Sequence, residues 1–297
     1  MRSVKFVRPA VWLYLTAFLY FFCLSSFHTY ASQRWTQLWQ RLAYQADPHQ
    51  NEKVAARSML AFIPPGSLLL ADLGYFAFAW FDELTQLNYH WISRLRANTS
   101  YEIIQTLYTA PGVLDAIVWL GAYRADHAAH AVRLVSYTHH HLTRTYITNV
   151  LDPQRLSIHH IAVLYARRWD IEMMFNLVKT HLHLHLLWSS HTTVIVQQVL
   201  AVFTVAQIIL GLRADIAYRA HADVFEVSLD LMIRWIPRFA QDGLDPVQTI
   251  VERGRFARII RPSARIKIVV PPIPLHLYIP LDPALPLMRQ PRYAHKL

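Results

Sequence analysis

Two acidic residues, Asp72 and Glu172, have surroundings that would let a carboxylate do metal chemistry. Glu172 lies in YARRWDIEMMFNLVK, residues 165–179, with Tyr165 and Arg168 before it and Lys179 after it. At about 100° per residue on a helix, Tyr165, Arg168, Glu172 and Lys179 fall within roughly a 60° arc. Ile171, Phe175 and Val178 form a neighbouring apolar stripe that would anchor the helix in a core. A carboxylate flanked by two cations and a phenol suits a divalent ion with phosphates steadied around it. Taken alone, Arg and Glu at a spacing of four also read as an ordinary solvated ion pair, worth a few tenths of a kcal/mol.

The elements that must position these residues can be read outward from Asp72. The run Ser67-Leu68-Leu69-Leu70-Ala71 has the length and apolar character of a strand buried on both faces, and Asp72 follows at its carboxyl edge. That edge is where ligands and catalytic groups gather in open α/β sheets. Before it, residues 55–63 read as a short helix ended by Pro64-Pro65-Gly66. After it, residues 76–87 read as a helix and 90–96 as a strand whose polar positions are Ser93, Arg94 and Arg96.

Between residues 97 and 150 the pattern changes. Runs at 101–108, 116–123, 131–137 and 144–150, separated by turn-forming segments, predict an antiparallel insertion. Ser157 then signals a helix continuing through Lys179, followed by an apolar helix at 192–212 and further helices at 224–239 and 246–253. A basic run of Arg253, Arg255, Arg258, Arg261, Arg265 and Lys267 leads into a proline-rich tail that is expected not to pack as a domain.

Composition sets the class of partner. Lys plus Arg exceed Asp plus Glu, giving a net charge of +10, so nucleic acid or an anionic membrane surface is the natural counterpart. The single cysteine, Cys23, can form neither an internal disulfide nor a cysteine-rich zinc site, and a reducing cytoplasm fits best. Residues 10–27 are almost wholly apolar and follow Arg2, Lys5 and Arg8, the layout of a signal peptide or a membrane-anchoring helix. A buried stretch, or a replaced N-terminus, gives the same pattern. The histidines at 139–141 and at 181, 183 and 185 lack a converging third ligand and are read as structural or solvent-facing. Trp119 and Trp169 are candidates for stacking on an unpaired base, with core packing the favoured reading for both.

The order Tyr165, two residues, Arg168, three residues, Glu172, six residues, Lys179 resembles the YREK signature of the insertion-sequence-four (IS4-like) family of DDE transposases. LLLADLGYF at 68–76 and TNVLDPQRLS at 148–157 are similar to flanking segments of that family, and the resemblance spans residues 46–212. It implies an α/β, ribonuclease-H-like fold with a β-rich insertion between the second and third acids. It implies that Asp72 and Glu172 are catalytic carboxylates binding magnesium or manganese, and that Tyr165, Arg168 and Lys179 contact DNA phosphates. The chemistry implied is two-metal phosphodiester hydrolysis and strand transfer at the ends of a mobile element. The partners implied are double-stranded DNA bearing terminal inverted repeats and, compatibly, a second copy in a homodimer.

The same resemblance divides the chain into a divergent hydrophobic segment at 1–45, a partial ribonuclease-H-like domain at 46–96, the insertion at 97–150, the remainder of the catalytic domain with C-terminal helices at 151–252, and the basic, proline-rich tail at 253–297. The family's first aspartate belongs on an early strand, whereas the only acid before Glu52 is Asp47, in a loop-like ADPHQN setting. The expectation is therefore a catalytically incomplete, N-terminally truncated copy, cytoplasmic and nucleoid-associated. A non-catalytic DNA-binding remnant and a basic protein anchored to a membrane through residues 10–27 are the alternatives. Salt-dependent binding to duplex DNA separates the DNA-binding readings from the membrane one.

Overall fold

The structure is a computed structural model that describes residues 52–122, 126–139, 141–263 and 268–292, with side chains from Ala56 onward except that of Ile171, together with short backbone pairings nearer the N-terminus. These pairings join β1 (Tyr14–Leu15) to β3 (Tyr44–Gln45) and lay β2 (Phe22–Cys23) antiparallel to the first strand of the central sheet. The apolar run at 10–27, apart from that backbone, and Asp47 lie outside the described residues.

The centre of the molecule is a mixed sheet in the order β2-β4-β5-β9-β8-β7-β6. Strand β4 (Ser67–Ala71) pairs in parallel with β5 (His90–Arg94), and helix α2 (Phe78–Gln86) makes the crossover between them. As the alternation of side chains along a strand requires, Leu68 and Ile92 face one side of the sheet while Leu69, Ala71 and Trp91 face the other. Helices α1 (Glu52–Leu60) and α2 cover the second face, and α3 (Ile158–Ala166) covers the first. The strand around Leu68 is therefore buried on both sides, which is why its sequence is apolar without alternation.

The β-rich segment is a meander of β6 (Tyr101–Ala110), β7 (Val113–Leu120), β8 (Val132–His139) and β9 (Leu142–Thr148). It does not stand apart as a separate sheet. Strand β9 pairs antiparallel with β5, with Ser93 opposite Ile147, and so prolongs the central sheet by four strands. Asn149, just past β9, fixes this junction: its side chain accepts the Trp91 N–H at 3.0 Å and donates to the Tyr89 carbonyl at 2.8 Å. The fold is mixed α/β, consistent with a ribonuclease-H-like arrangement.

Beyond the sheet, α4 (Asp170–Asn176), α5 (Thr192–Arg219), α6 (Leu229–Gln241) and α7 (Pro246–Arg253) share a second core built around Val199, Phe203, Leu210 and Met232. Helix α5 is long and apolar enough to cross a membrane by length and composition, with 33% of its most apolar stretch buried against this core. Its buried Arg213 donates to the Val227 carbonyl at 2.8 Å.

The proline-rich tail packs as an extended segment along the meander. The Ile279 N–H donates to the Leu107 carbonyl at 2.8 Å, the Ala131 N–H to the Leu287 carbonyl at 2.9 Å, and the Arg289 N–H to the Ala129 carbonyl at 2.8 Å. Tyr278, Leu281 and Leu287 cover Leu107, Ile117 and Trp119. Prolines supply no amide donors, but the residues between them do, and those pair with the edge strand β6 and with the segment leading into β8. Composition signalled the missing helix and strand propensity but not the apolar surface waiting for an extended segment.

Candidate active site

The 165–179 segment is predicted as one regular helix, and the chain interrupts it twice. Ser157 caps α3 by accepting the His160 N–H at 3.2 Å. A 3-10 turn (Arg167–Trp169) follows directly, then α4, then a π turn (Leu177–His181). Tightening to three residues per turn and then widening again changes which residues share a face, so a constant 100° wheel misplaces the far end. Lys179 ends up exposed on the π turn and makes no ion pair to the acids among the described residues.

Arg168 and Glu172 stay together and meet Asp72. Asp72 caps a 3-10 turn (Leu73–Tyr75) at the carboxyl end of β4, accepting the Leu73 N–H at 2.7 Å. One guanidinium nitrogen of Arg168 lies 3.5 Å from an Asp72 carboxylate oxygen and 3.5 Å from a Glu172 oxygen. Two carboxylates 100 positions apart in the chain are thus within twice that distance of each other across a shared cation. Both remain partly open to solvent, at 29% and 24% side-chain exposure. Burial disfavours the ionised form of Asp72, and Arg168 and the Leu73 amide oppose that by favouring it.

Tyr165 is not on the open seam. It is buried, its ring stacks obliquely 5.2 Å from that of Tyr146, and its hydroxyl reaches the Ala71 carbonyl at 3.5 Å, directly before Asp72. Burial pushes its phenol up to about 12. In this state the residue supports the end of β4, and it also lines the cleft beside Trp169.

Trp169 reverses another expectation. Trp119 is buried, as expected, and stacks under the Arg289 guanidinium at 4.5 Å. Trp169 is 54% exposed, and Arg168 lies over its ring at 5.4 Å and over Tyr165 at 5.9 Å. The preceding residue, Arg167, points the opposite way, over the Phe225 ring at 3.9 Å, and leaves Trp169 on the outer side of the turn. Beside it opens a cleft of about 710 Å³ lined by Arg94, Tyr137, Arg144, Tyr146, Tyr165 and Trp169. Arg94 was visible in sequence as a polar position on its strand. Arg144 carried no signal, because its approach to the site depends on β9 pairing with β5.

The donors present suit a hard cation in chemistry, since Asp72 and Glu172 offer carboxylate oxygens. Among the described residues, however, no group of three His, Cys, Asp or Glu side chains could hold a metal ion, and Arg168 already supplies the positive charge between the two acids.

No match was found among curated proteins. Residues 27–207, well over half of the chain, match the transposase DDE domain, a match that begins inside the 1–45 segment the sequence reading set apart. A polar site at the end of a central parallel strand, completed by a helix that follows a β-rich insertion, sits within that span, and the chain belongs to the transposase DDE domain family.

Proposed function

We propose that this chain is a YREK-type, IS4-like DDE transposase that acts on the terminal inverted repeats of a mobile element, in the cytoplasm and on the nucleoid. The observation that carries this reading is the convergence of Asp72 and Glu172 on Arg168 at the carboxyl end of β4. Asp72 and Glu172 would hold magnesium or manganese. When bound, such an ion activates an attacking oxygen and stabilises the leaving one. The chain's own part is positional. Arg168 keeps two like charges from repelling while the ion is absent, Tyr165 fixes the strand end, and Arg94, Arg144 and Lys179 offer cations to backbone phosphates.

The reading includes reduced catalysis. Asp47 is the only acid before Glu52, and its ADPHQN context does not resemble a strand of the sheet. With two of three carboxylates a second ion lacks a bridging ligand, so the chain is proposed to be a catalytically incomplete copy that retains DNA binding, as a homodimer compatible with pairing two ends.

The decisive experiment incubates the protein with duplex DNA carrying the element's ends, with and without magnesium. Salt-sensitive binding with little cleavage is expected, and Glu172→Gln should remove whatever magnesium-dependent cleavage remains. Robust double-strand breaks would overturn the incompleteness, and failure to bind duplex DNA at low salt would overturn the whole reading.

A further inference from the structure

The turn that follows α7 presents one aromatic side chain among arginines. Across residues 252–261, Arg253, Arg255, Arg258 and Arg261 are exposed and form no ion pair among the described residues. The one acid in this stretch, Glu252, accepts a hydrogen bond from Gln248. At its centre Phe256 is 96% exposed, the most exposed large hydrophobic side chain among the described residues. A single apolar residue in water is ordinary on a protein surface. The backbone beneath this one is not.

That backbone is pinned at both ends. The Gly254 N–H donates to the Ile250 carbonyl at 2.8 Å, the Ala257 N–H to the Arg253 carbonyl at 2.9 Å, and the Ile260 N–H back to the Gly254 carbonyl at 2.9 Å, closing the turn on itself. Ile259 and Ile260, just beyond, are buried in the helical core. They bond across to the entry of α6, where the Ser228 N–H donates to the Ile259 carbonyl at 2.8 Å and the Glu226 carbonyl accepts the Arg261 N–H at 2.9 Å. A Cβ at Gly254 would press on the Ile250 carbonyl and the Ile260 side chain, and Arg258 takes a left-handed backbone angle, φ 56°. Arg255 adds a strut by donating to the Ala220 carbonyl, at the end of α5, at 3.2 Å. Phe256 is thus held out from the core on a fixed support.

The chemistry around the ring selects its occupant. Guanidinium groups on either side of it in the chain suit the phosphates that flank a groove, and a lone apolar side chain is what wedges between base steps and kinks a duplex. A lipid surface asks for more, since stable attachment takes an amphipathic helix or several apolar side chains, and Phe256 is the one exposed large hydrophobic residue described in this stretch. We infer that this turn is a wedge site for duplex DNA: Phe256 enters between base pairs from the minor groove and bends the duplex, while Arg253, Arg255 and Arg258 hold the flanking phosphates. A phenyl ring has no donor or acceptor for a base edge, so the wedge favours pyrimidine–purine steps, which unstack most readily. The inference rests on the reading of the chain as a DNA-binding protein.

The test places dyes at the two ends of a short duplex with one central TA step and follows energy transfer as the full chain binds. A bend of roughly 20–90° is expected at saturation. Phe256→Ala should lose most of the bend with an unchanged thermal melt, since the ring is exposed, and Phe256→Leu, which keeps an apolar wedge, should retain it. Arg253→Gln should weaken binding and lower the salt slope by about one while leaving the bend of the saturated complex as it was. The inference is overturned if the wild type binds the duplex without bending it, or if Phe256→Ala bends it as much. It is equally overturned if Phe256→Ala keeps the bend but abolishes sedimentation with phosphatidylserine vesicles, or keeps the bend but dissolves a dimer in light scattering. Those results assign the ring to a lipid surface or to a second copy. If the wild type fails to bind duplex at low salt, the DNA reading falls and takes this inference with it, an outcome distinct from binding without bending.

Discussion

Arg133 and Arg168 both hold carboxylates, and they do so in opposite ways. In the meander, Arg133 and Asp115 are fully buried and meet through two parallel bonds of 2.7 and 2.5 Å, while a third guanidinium bond goes to the Leu156 carbonyl. The tail adds Tyr278, whose phenol is raised above its ordinary value by burial and then by Asp115. At the candidate active site, Arg168 shares one nitrogen between two acids at 3.5 Å, and its Nε is buried without a hydrogen-bond partner among the described residues. The first arrangement is saturated and closed. The second is made through a single nitrogen at longer range, beside solvent, and leaves donor capacity on the arginine. Saturation marks an element of architecture, and unspent capacity beside solvent marks a place where another group can bind.

The sharpest way to break that contrast is to remove each arginine in turn. Arg133→Ala leaves Asp115 charged and buried, and chemical denaturation should show a loss of about 3–5 kcal/mol, or no folded protein at all. Tyr278→Phe tests the tail's share of the same cluster and should cost about 1 kcal/mol, read from the denaturation midpoint. Arg168→Ala should cost less than about 1 kcal/mol, because its carboxylate partners can turn to water, while affinity for duplex DNA falls. A stability loss as large as that of Arg133→Ala would mean that the site is architecture as well.

The smallest effect concerns pH. Tyr165 has its pKa raised from 10.0 to about 12 by burial, so the folded state keeps a proton that the unfolded chain gives up first. Its contribution is complete below pH 10 and is lost as pH rises through about 12. Wild-type protein should therefore lose more stability than Tyr165→Phe across that alkaline interval, as followed by thermal melts. Equal slopes would mean that the phenol is solvated and free to reach a phosphate.

How much of this was legible in the sequence differs by region. The apolar run ending at Asp72 determined its own strand, since a stretch apolar on both faces has nowhere to go but the middle of a covered sheet. Ser157, with its side-chain oxygen, determined where α3 begins, and Pro246 behind Asp245 did the same for α7. The spacing of Arg168 and Glu172 also survived, because four residues span about one turn whether the helix is slightly tight or regular.

Lys179, Tyr165, Trp169 and the tail were not determined in this way. Lys179 lies past a 3-10 turn and before the end of a π turn, and small changes in pitch accumulate along a helix. Tyr165 and Trp169 both look amphipathic in sequence; packing against Tyr146 buried the first, and the opposite throw of Arg167 left the second outside. The tail shows the limit most plainly. Its prolines and isolated leucines specify an extended chain with no element of its own, and only the uncovered apolar surface of β6 and β7, assembled from residues more than a hundred positions earlier, decided where that chain would lie. Local sequence determines which backbone shapes are affordable to each segment, and tertiary structure decides which surfaces they meet, because burial is a property of the assembled whole.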